Sequence, residues 1–130
     1  MKLNNDLIRD ILLTIEEYTG YEKPITFHKP YEVEENNQPL IKDYSREEFF
    51  YHLKQCEISG MIEVMLETGE YTTVSYLTPL GHEFLENIRS NTVWSKTKTI
   101  SKKLGLKSLD AVKQISTSVI TEIIKQELGY

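Results

Sequence analysis

A chain of 130 residues that is 39% hydrophobic and 27% charged is long enough to bury a core and too apolar to stay disordered, so one compact domain is expected. The lone cysteine, Cys56, excludes an internal disulfide, and no apolar run reaches the ~20 residues of a membrane helix. With no cleavage-site pattern after an apolar N-terminal stretch, a cytoplasmic protein without a membrane partner is expected. A net charge of −5 and a pI near 5.2 exclude bulk attraction to nucleic acid or anionic lipid, so any duplex binding requires a local basic patch.

From the N-terminus, Leu7, Ile8, Ile11, Leu12 and Ile15 recur at helical spacing between Asn5 or Asp6 as cap and Gly20 as stop. Prolines then break helix over about 24–42, where Ile25–His28 and Tyr31–Glu34 read as a short strand pair or an ordered loop. Ser45-Arg46-Glu47-Glu48 is a capping box opening a helix whose apolar side is Phe49, Phe50, Leu53 and Cys56 and whose end is Gly60. Two β-prone runs, Met61–Leu66 and Tyr71–Leu77, flank a turn in which Gly69 is expected to permit the reversal, giving a two-stranded ribbon. Thr78-Pro79 caps and starts a third helix with the stripe Leu80, Phe84, Leu85 and Ile88. After a break or second cap at Asn91-Thr92, Val93, Trp94, Thr97, Ile100 and Leu104 predict a helix ending at Gly105. Ser108 then caps a last one carrying Leu109, Val112, Ile115, Val119, Ile123 and Ile124.

Helix, helix ending in glycine, hairpin, then Leu-Thr-x-x-Gly opening a helix is a layout that resembles winged-helix domains. More closely, Tyr51-His52-Leu53-Lys54, Gly60-Met61-Ile62-Glu63, Gly81-His82-Glu83-Phe84-Leu85 with Ile88-Arg89, and Thr92-Val93-Trp94 resemble domain-of-unknown-function family 2513 of Gram-positive bacteria, their phages and prophages. The resemblance runs from Leu7-Ile8-Arg9 to Leu128-Gly129, with a longer insertion at about 24–42. It implies an α+β, winged-helix-like domain with a two-stranded wing and additional C-terminal helices, and it carries no activity. Residues 1–90 are the expected body; residues 91–130 pack on it or serve self-association, with Phe49, Leu53, Phe84, Leu85 and Trp94 as anchors.

In a DNA-binding winged helix the Ser45 helix would enter the major groove and the hairpin would touch the backbone, so both should be basic or neutral. Here Arg46 and Lys54 face Glu47, Glu48 and Glu57, while the hairpin has Glu63, Glu67 and Glu70 and no cation, a local charge of −4. Residues 1–60 carry −5, residues 61–90 carry −4 and residues 91–130 carry +4. Nucleic-acid contact would therefore fall to Lys96, Lys98, Lys102, Lys103 and Lys107; equally, these lysines keep an amphipathic tail soluble or face acids of the body. The partner-binding candidates are Glu47, Glu48, Lys54, Glu63, Glu67, Glu70 and Tyr71. Seven of the eight tyrosines lie in the first two-thirds, which suits either an interface or half-buried element ends.

His52 and Cys56 stand four apart on one helix, with His82 and Glu83 further on, but no zinc spacing is present and Cys56 lies on the apolar stripe. Cys56 reads as a core residue, and His52 and His82 as half-buried rings with one hydrogen bond each. No catalytic residue, metal site or cofactor is expected. The sequence supports a non-catalytic regulatory or accessory protein that binds another protein, and the resemblance implies a phage or prophage origin. Its rival is a DNA-binding winged-helix regulator acting as a dimer through the last helix.

Overall fold

The structure, a computed structural model, describes residues 1–29 and 38–130. The extended piece expected at Tyr31–Glu34 lies outside the described residues. Among those described, the chain is α+β, with five helices and one three-stranded antiparallel sheet: α1 (Asn5–Tyr18), β1 (Ile25–His28), α2 (Arg46–Ile58), β2 (Ile62–Glu67), β3 (Tyr71–Leu77), α3 (Pro79–Ile88), α4 (Asn91–Leu104) and α5 (Leu109–Leu128). It forms two compact units, Met1–His82 and Glu83–Tyr130.

In the first unit α1 packs on α2 and β3 through the predicted stripe, with Leu7, Ile8, Ile11, Leu12 and Ile15 all buried. The cap is Asn4 rather than Asn5 or Asp6: its Oδ1 accepts from the amides of Asp6 at 3.0 Å and Leu7 at 3.3 Å. At the other end Thr19, not Gly20, closes the helix, since both its amide and its hydroxyl donate to the Ile15 carbonyl. His52 is fully buried rather than half-buried, and it ties α2 to the start of α1. Its Nε2 accepts from the Asn4 amide at 2.8 Å, which leaves the proton on Nδ1 to be donated to the Glu48 carbonyl at 2.7 Å. Between β1 and α2, the Tyr44 hydroxyl donates to Asp10 Oδ2 at 3.1 Å; burial and the Asp10 carboxylate push its pKa up to about 12.

The expected two-stranded ribbon is part of a larger sheet of order β1-β3-β2, because β1 adds to the second edge of β3. What draws it there is apolar alternation: Ile25 and Phe27 are buried, and the Phe27 ring meets Phe49 of α2 edge-on at 4.9 Å between centroids. Gly69 has no positive φ, so the hairpin does not reverse by glycine's left-handed freedom. Instead the Thr68 hydroxyl accepts from the amides of Glu70 at 3.0 Å and Tyr71 at 3.1 Å, a side-chain turn that any residue at 69 allows.

The exit of α2 and the entry of α3 are locked together. Gly60 ends α2 at φ 74°, as expected, and leaves its own carbonyl and that of Met61 pointing at the chain that follows β3. The Thr78 hydroxyl donates to Gly60 O, the Thr78 amide donates to Met61 O at 3.0 Å, and the same hydroxyl accepts from the Gly81 amide at 3.1 Å. A Cβ at Gly81 would stand 2.1 Å from Met61 O, so only glycine fits there. Leu80, expected on the apolar stripe, is exposed because the helix approaches on its Gly81 side.

In the second unit α4 packs on α5 around Val93, Ile115 and Val119, with Ile120 and Ile123 against them. Ser90 caps α4, one residue before the expected break, by accepting from the Val93 amide at 3.1 Å; Gly105 ends it at φ 70° and Ser108 caps α5. The buried side of α4 is Val93, Trp94, Thr97 and Ser101. Ile100 and Leu104, expected inside, flank that line and are exposed, because small residues four apart let the two helices approach along it. Ile124 is likewise exposed, beyond the last buried turn of α5. Phe84, Leu85 and Trp94 are buried here, as Phe49 and Leu53 are in the first unit.

Replacing Gly81 by alanine is expected to cost about 3 kcal/mol, as steric overpacking against fixed backbone does. Gly69→Ala, with nothing within 4 Å of the added methyl, is expected to fall within about 0.5 kcal/mol of the parent. Urea denaturation of the two variants measures the contrast.

Candidate functional site: the acidic face of α2 and the hairpin

The capping box positions the first of the candidate acids. Ser45 Oγ accepts from the Glu48 amide at 3.1 Å, which starts α2 with Glu47 exposed and Glu48 half-buried in its first turn, where the helix dipole favours negative charge. Directly after buried Leu53, Lys54 points outward between α2 and β2. Its Nζ donates to Glu57 Oε1 at 2.8 Å and to Glu67 Oε1 at 2.9 Å, so one ammonium joins helix and hairpin.

Sequence reasoning missed the second cation of this face, because Lys29 lies outside both segments counted there. Leaving the end of β1, Lys29 reaches Glu67 Oε2 at 3.6 Å, donates to the Thr68 carbonyl, and passes 5.9 Å from the centre of the Phe50 ring. The signal was the Ile25/Phe27 alternation, which makes β1 a strand of the same sheet and carries Lys29 to the hairpin. Arg46 is also committed, donating from Nη1 to the His28 carbonyl at 3.2 Å.

The face therefore spends its cations internally while keeping carboxylates in solvent. Glu63 and Glu70 on the hairpin and Glu47 on α2 are exposed, and among the described residues they hold no ion pair. Tyr71 is half-buried, its ring 6.4 Å from that of His28, its partner across β1 and β3. The unit Met1–His82 carries −8 in sequence and Glu83–Tyr130 carries +3. Of the lysines expected to serve nucleic acid, Lys96, Lys98, Lys102, Lys103 and Lys107 are all exposed in the second unit, on α4 and the turn after it. Lys98 stands 5.6 Å from the centre of the Trp94 ring. On that unit α4 and α5 also leave a groove of about 440 Å³ lined by Ile100, Leu104, Val119 and Ile123.

The residues weighed for chemistry are not brought together. Cys56 is fully buried and burial pushes its thiol up to about 12, so it is a neutral core thiol rather than a nucleophile. Both ring nitrogens of His52 are occupied by backbone groups, and His82, expected half-buried, is exposed at the start of α3. Among the described residues no three His, Cys, Asp or Glu side chains are grouped to hold a metal, and no helix is long and apolar enough to cross a membrane.

The family described as "Hypothetical protein (DUF2513)" matches residues 2–107, a span that takes in every element from α1 to α4. This chain belongs to that family. An "Uncharacterized protein" of Haemophilus influenzae is 35% identical over 133 residues, covering 95% of this chain and 99% of its own. No solved structure matches the chain. Within the family's matched span lie the whole α2 and hairpin face and all five lysines; α5 falls outside it.

The hydrogen bond from Lys54, with Lys29 adding to it, holds the Glu67 carboxyl below the ordinary carboxylate range. A carboxyl depressed in the folded state contributes stability above its unfolded value of about 4.3, and that contribution disappears as pH falls through the lower folded value. The difference in Tm between the parent and Glu67→Gln is therefore expected to be present at neutral pH, to shrink below about pH 4, and to shrink in high salt. Cys56 is expected to resist iodoacetamide in the folded chain and to be alkylated fully in urea, as mass spectrometry would show.

Proposed function

We propose that this is a small non-catalytic regulatory or accessory protein, of phage or prophage origin, that works in the cytoplasm by binding another protein. The observation that carries this reading is the fate of the cations on the α2 and hairpin face. Lys29, Lys54 and Arg46 are each held by groups of the same unit, so none is left for a phosphate, while Glu47, Glu63 and Glu70 stand in solvent. A duplex with a negative charge about every 1.7 Å would be repelled by such a face, whereas a basic protein surface would be steered to it.

The topology supports reading the first unit as winged-helix-like. Its order is helix, strand, helix, hairpin, and the early strand sits on the outer edge of β3, so that α2 takes the place of a reading helix and β2–β3 that of a wing. In that reading an acidic reading face is suited to occupying the DNA-binding surface of a partner. The expected outcome is a partner whose affinity falls about tenfold when Glu47, Glu63 and Glu70 are changed to glutamine together, and whose salt dependence flattens. Calorimetry against a partner captured by the full chain measures both; an unchanged affinity overturns the mechanism.

One observation favours a second reading, a DNA-binding dimer: the exposed lysines of α4 and the open groove beside α5 lie in the same positively charged unit. That reading requires retention of random duplex at low salt and a dimer by light scattering. A monomer that leaves duplex free at 20 mM salt, on the order of the lowest ionic strength at which phosphate contacts are tested, removes it.

A further inference from the structure

The departures from regular backbone in the first unit gather around one pocket. Among the described residues Glu22 is the one non-glycine residue with a positive φ, at 54°. In the pairing of β2 with β3 the register slips twice, leaving Ser75 without a partner on β3 and Met65 without one on β2. Glu22, Met65 and Ser75 all line the same pocket of about 430 Å³. A positive φ strains a residue that has a Cβ, and a bulge gives up ladder pairing to turn a side chain out of the pleat. The positive φ of Glu22 closes the turn whose ends, Gly20 and Lys23, pair through two backbone hydrogen bonds of 3.0 and 3.1 Å. The two bulges are not needed to close the hairpin, and such irregularities concentrate where a surface is shaped for binding.

What they produce is an apolar surface left in water. Tyr21 is 94% exposed, Met65 58% and Tyr76 51%, and all three line the pocket with Pro24 behind them. Two phenols and a thioether make a lining that takes a flat aromatic group, through ring stacking and sulfur contacts, while each phenol keeps a hydroxyl for water or a peptide. The lining itself carries Glu22, Lys23 and His82, and the negative charge comes from around it: Glu63 is the ladder partner of Tyr76, and the unit carries −8.

We propose that this pocket receives an aromatic side chain from an extended segment of a partner protein, with lysine or arginine on either side of it facing Glu22 and Glu63. The inference rests on the protein-binding reading and adds to it the anchor that an acidic face by itself lacks: charge steers and selects, and a buried aromatic residue holds.

The experiment is a titration of the isotope-labelled full chain with N-acetyl-Lys-Phe-Lys-amide, followed by NMR. Two further peptides serve as comparisons, one with alanine in place of the phenylalanine and one with glutamate in place of both lysines. Amide shifts are expected to concentrate at residues 20–24, 65 and 75–77, with a Kd on the order of 1 mM. The alanine peptide is expected to bind at least about tenfold more weakly and the glutamate peptide about fivefold more weakly. Tyr76→Ser and Met65→Ser are each expected to weaken the Lys-Phe-Lys peptide about tenfold. If either fails to fold, Tyr21→Ser, at a nearly fully exposed position, replaces it. No saturable shift, shifts centred elsewhere, or equal responses to the three peptides overturn the pocket. Against a captured partner, loss of affinity in a Glu47→Gln, Glu70→Gln double variant together with full affinity in Tyr76→Ser overturns the pocket and leaves the acidic-face reading standing. The opposite result overturns the acidic face.

Discussion

The first unit depends on how the chain leaving β3 is fastened to the end of α2. The carbonyls that α2 leaves at its end are taken by the amides of Ser59, Gly60 and Met61, and just beyond them the carbonyls of Gly60 and Met61 meet Thr78, with Met61 O against Gly81. Thr78 satisfies Gly60 with its hydroxyl and Met61 with its amide, while caps α3 by accepting from Gly81. One residue thus caps α3 and ties its start to the segment that follows α2. The absent side chain at Gly81 sets how closely α3 approaches, and with both ends of the hairpin pinned at Ile62 and Leu77 the register of β2 against β3 is fixed at its base. The irregularity in that ladder accordingly appears further along, at Ser75 and Met65, where no such clamp acts.

The same economy governs the charges. A lysine beside three glutamates reads as a weakly acidic patch, but the geometry separates roles. Lys54 and Lys29 converge on Glu67, binding α2, the end of β1 and the hairpin into one network, and Lys54 takes Glu57 as well. Exposed pairs of this kind add little stability, so their main effect is on what the surface offers: three cations withdrawn, and three carboxylates left in solvent. On the protein-binding proposal, a face arranged in this way would discriminate by sign between a polyphosphate and a basic protein before any close contact forms.

Much of the fold was legible because most of its elements carry local signals. The stripes of α1 and α5, the caps at Ser45 and Ser108, the glycine ends at Gly60 and Gly105 and the Thr78-Pro79 start are all written in adjacent residues. What was not legible is tertiary. Ile25–His28 reads as a short strand or an ordered loop, but its pairing is not readable: it joins this sheet because β3 has a free edge and Phe49 offers Phe27 a ring. The burial of His52 depends on Asn4, forty-eight positions away in sequence, supplying an amide to a ring nitrogen. Gly69 misled because glycine in a turn suggests left-handed backbone, whereas the Thr68 hydroxyl builds this one. Lys29 could not be placed on the acidic face until β1 was.

The stretches that resemble the family are, for the most part, the ones that make this framework. Gly60-Met61-Ile62 and Leu77-Thr78-Pro79-Leu80-Gly81 are the clamp itself, His52-Leu53 and Phe84-Leu85 are buried, and Val93-Trp94 is the inner side of α4. Their chemistry is spent on backbone groups and on packing, so the resemblance specifies a scaffold and is silent on what the scaffold meets. Binding has to be sought among residues that the scaffold does not use. Among the described residues of the first unit these include carboxylates without an ion pair and, of its exposed large apolar side chains, the three that share one pocket, Tyr21, Met65 and Tyr76. Burying those three would recover apolar area at about 25 cal/mol per Å², which is what the proposed partner segment would gain there.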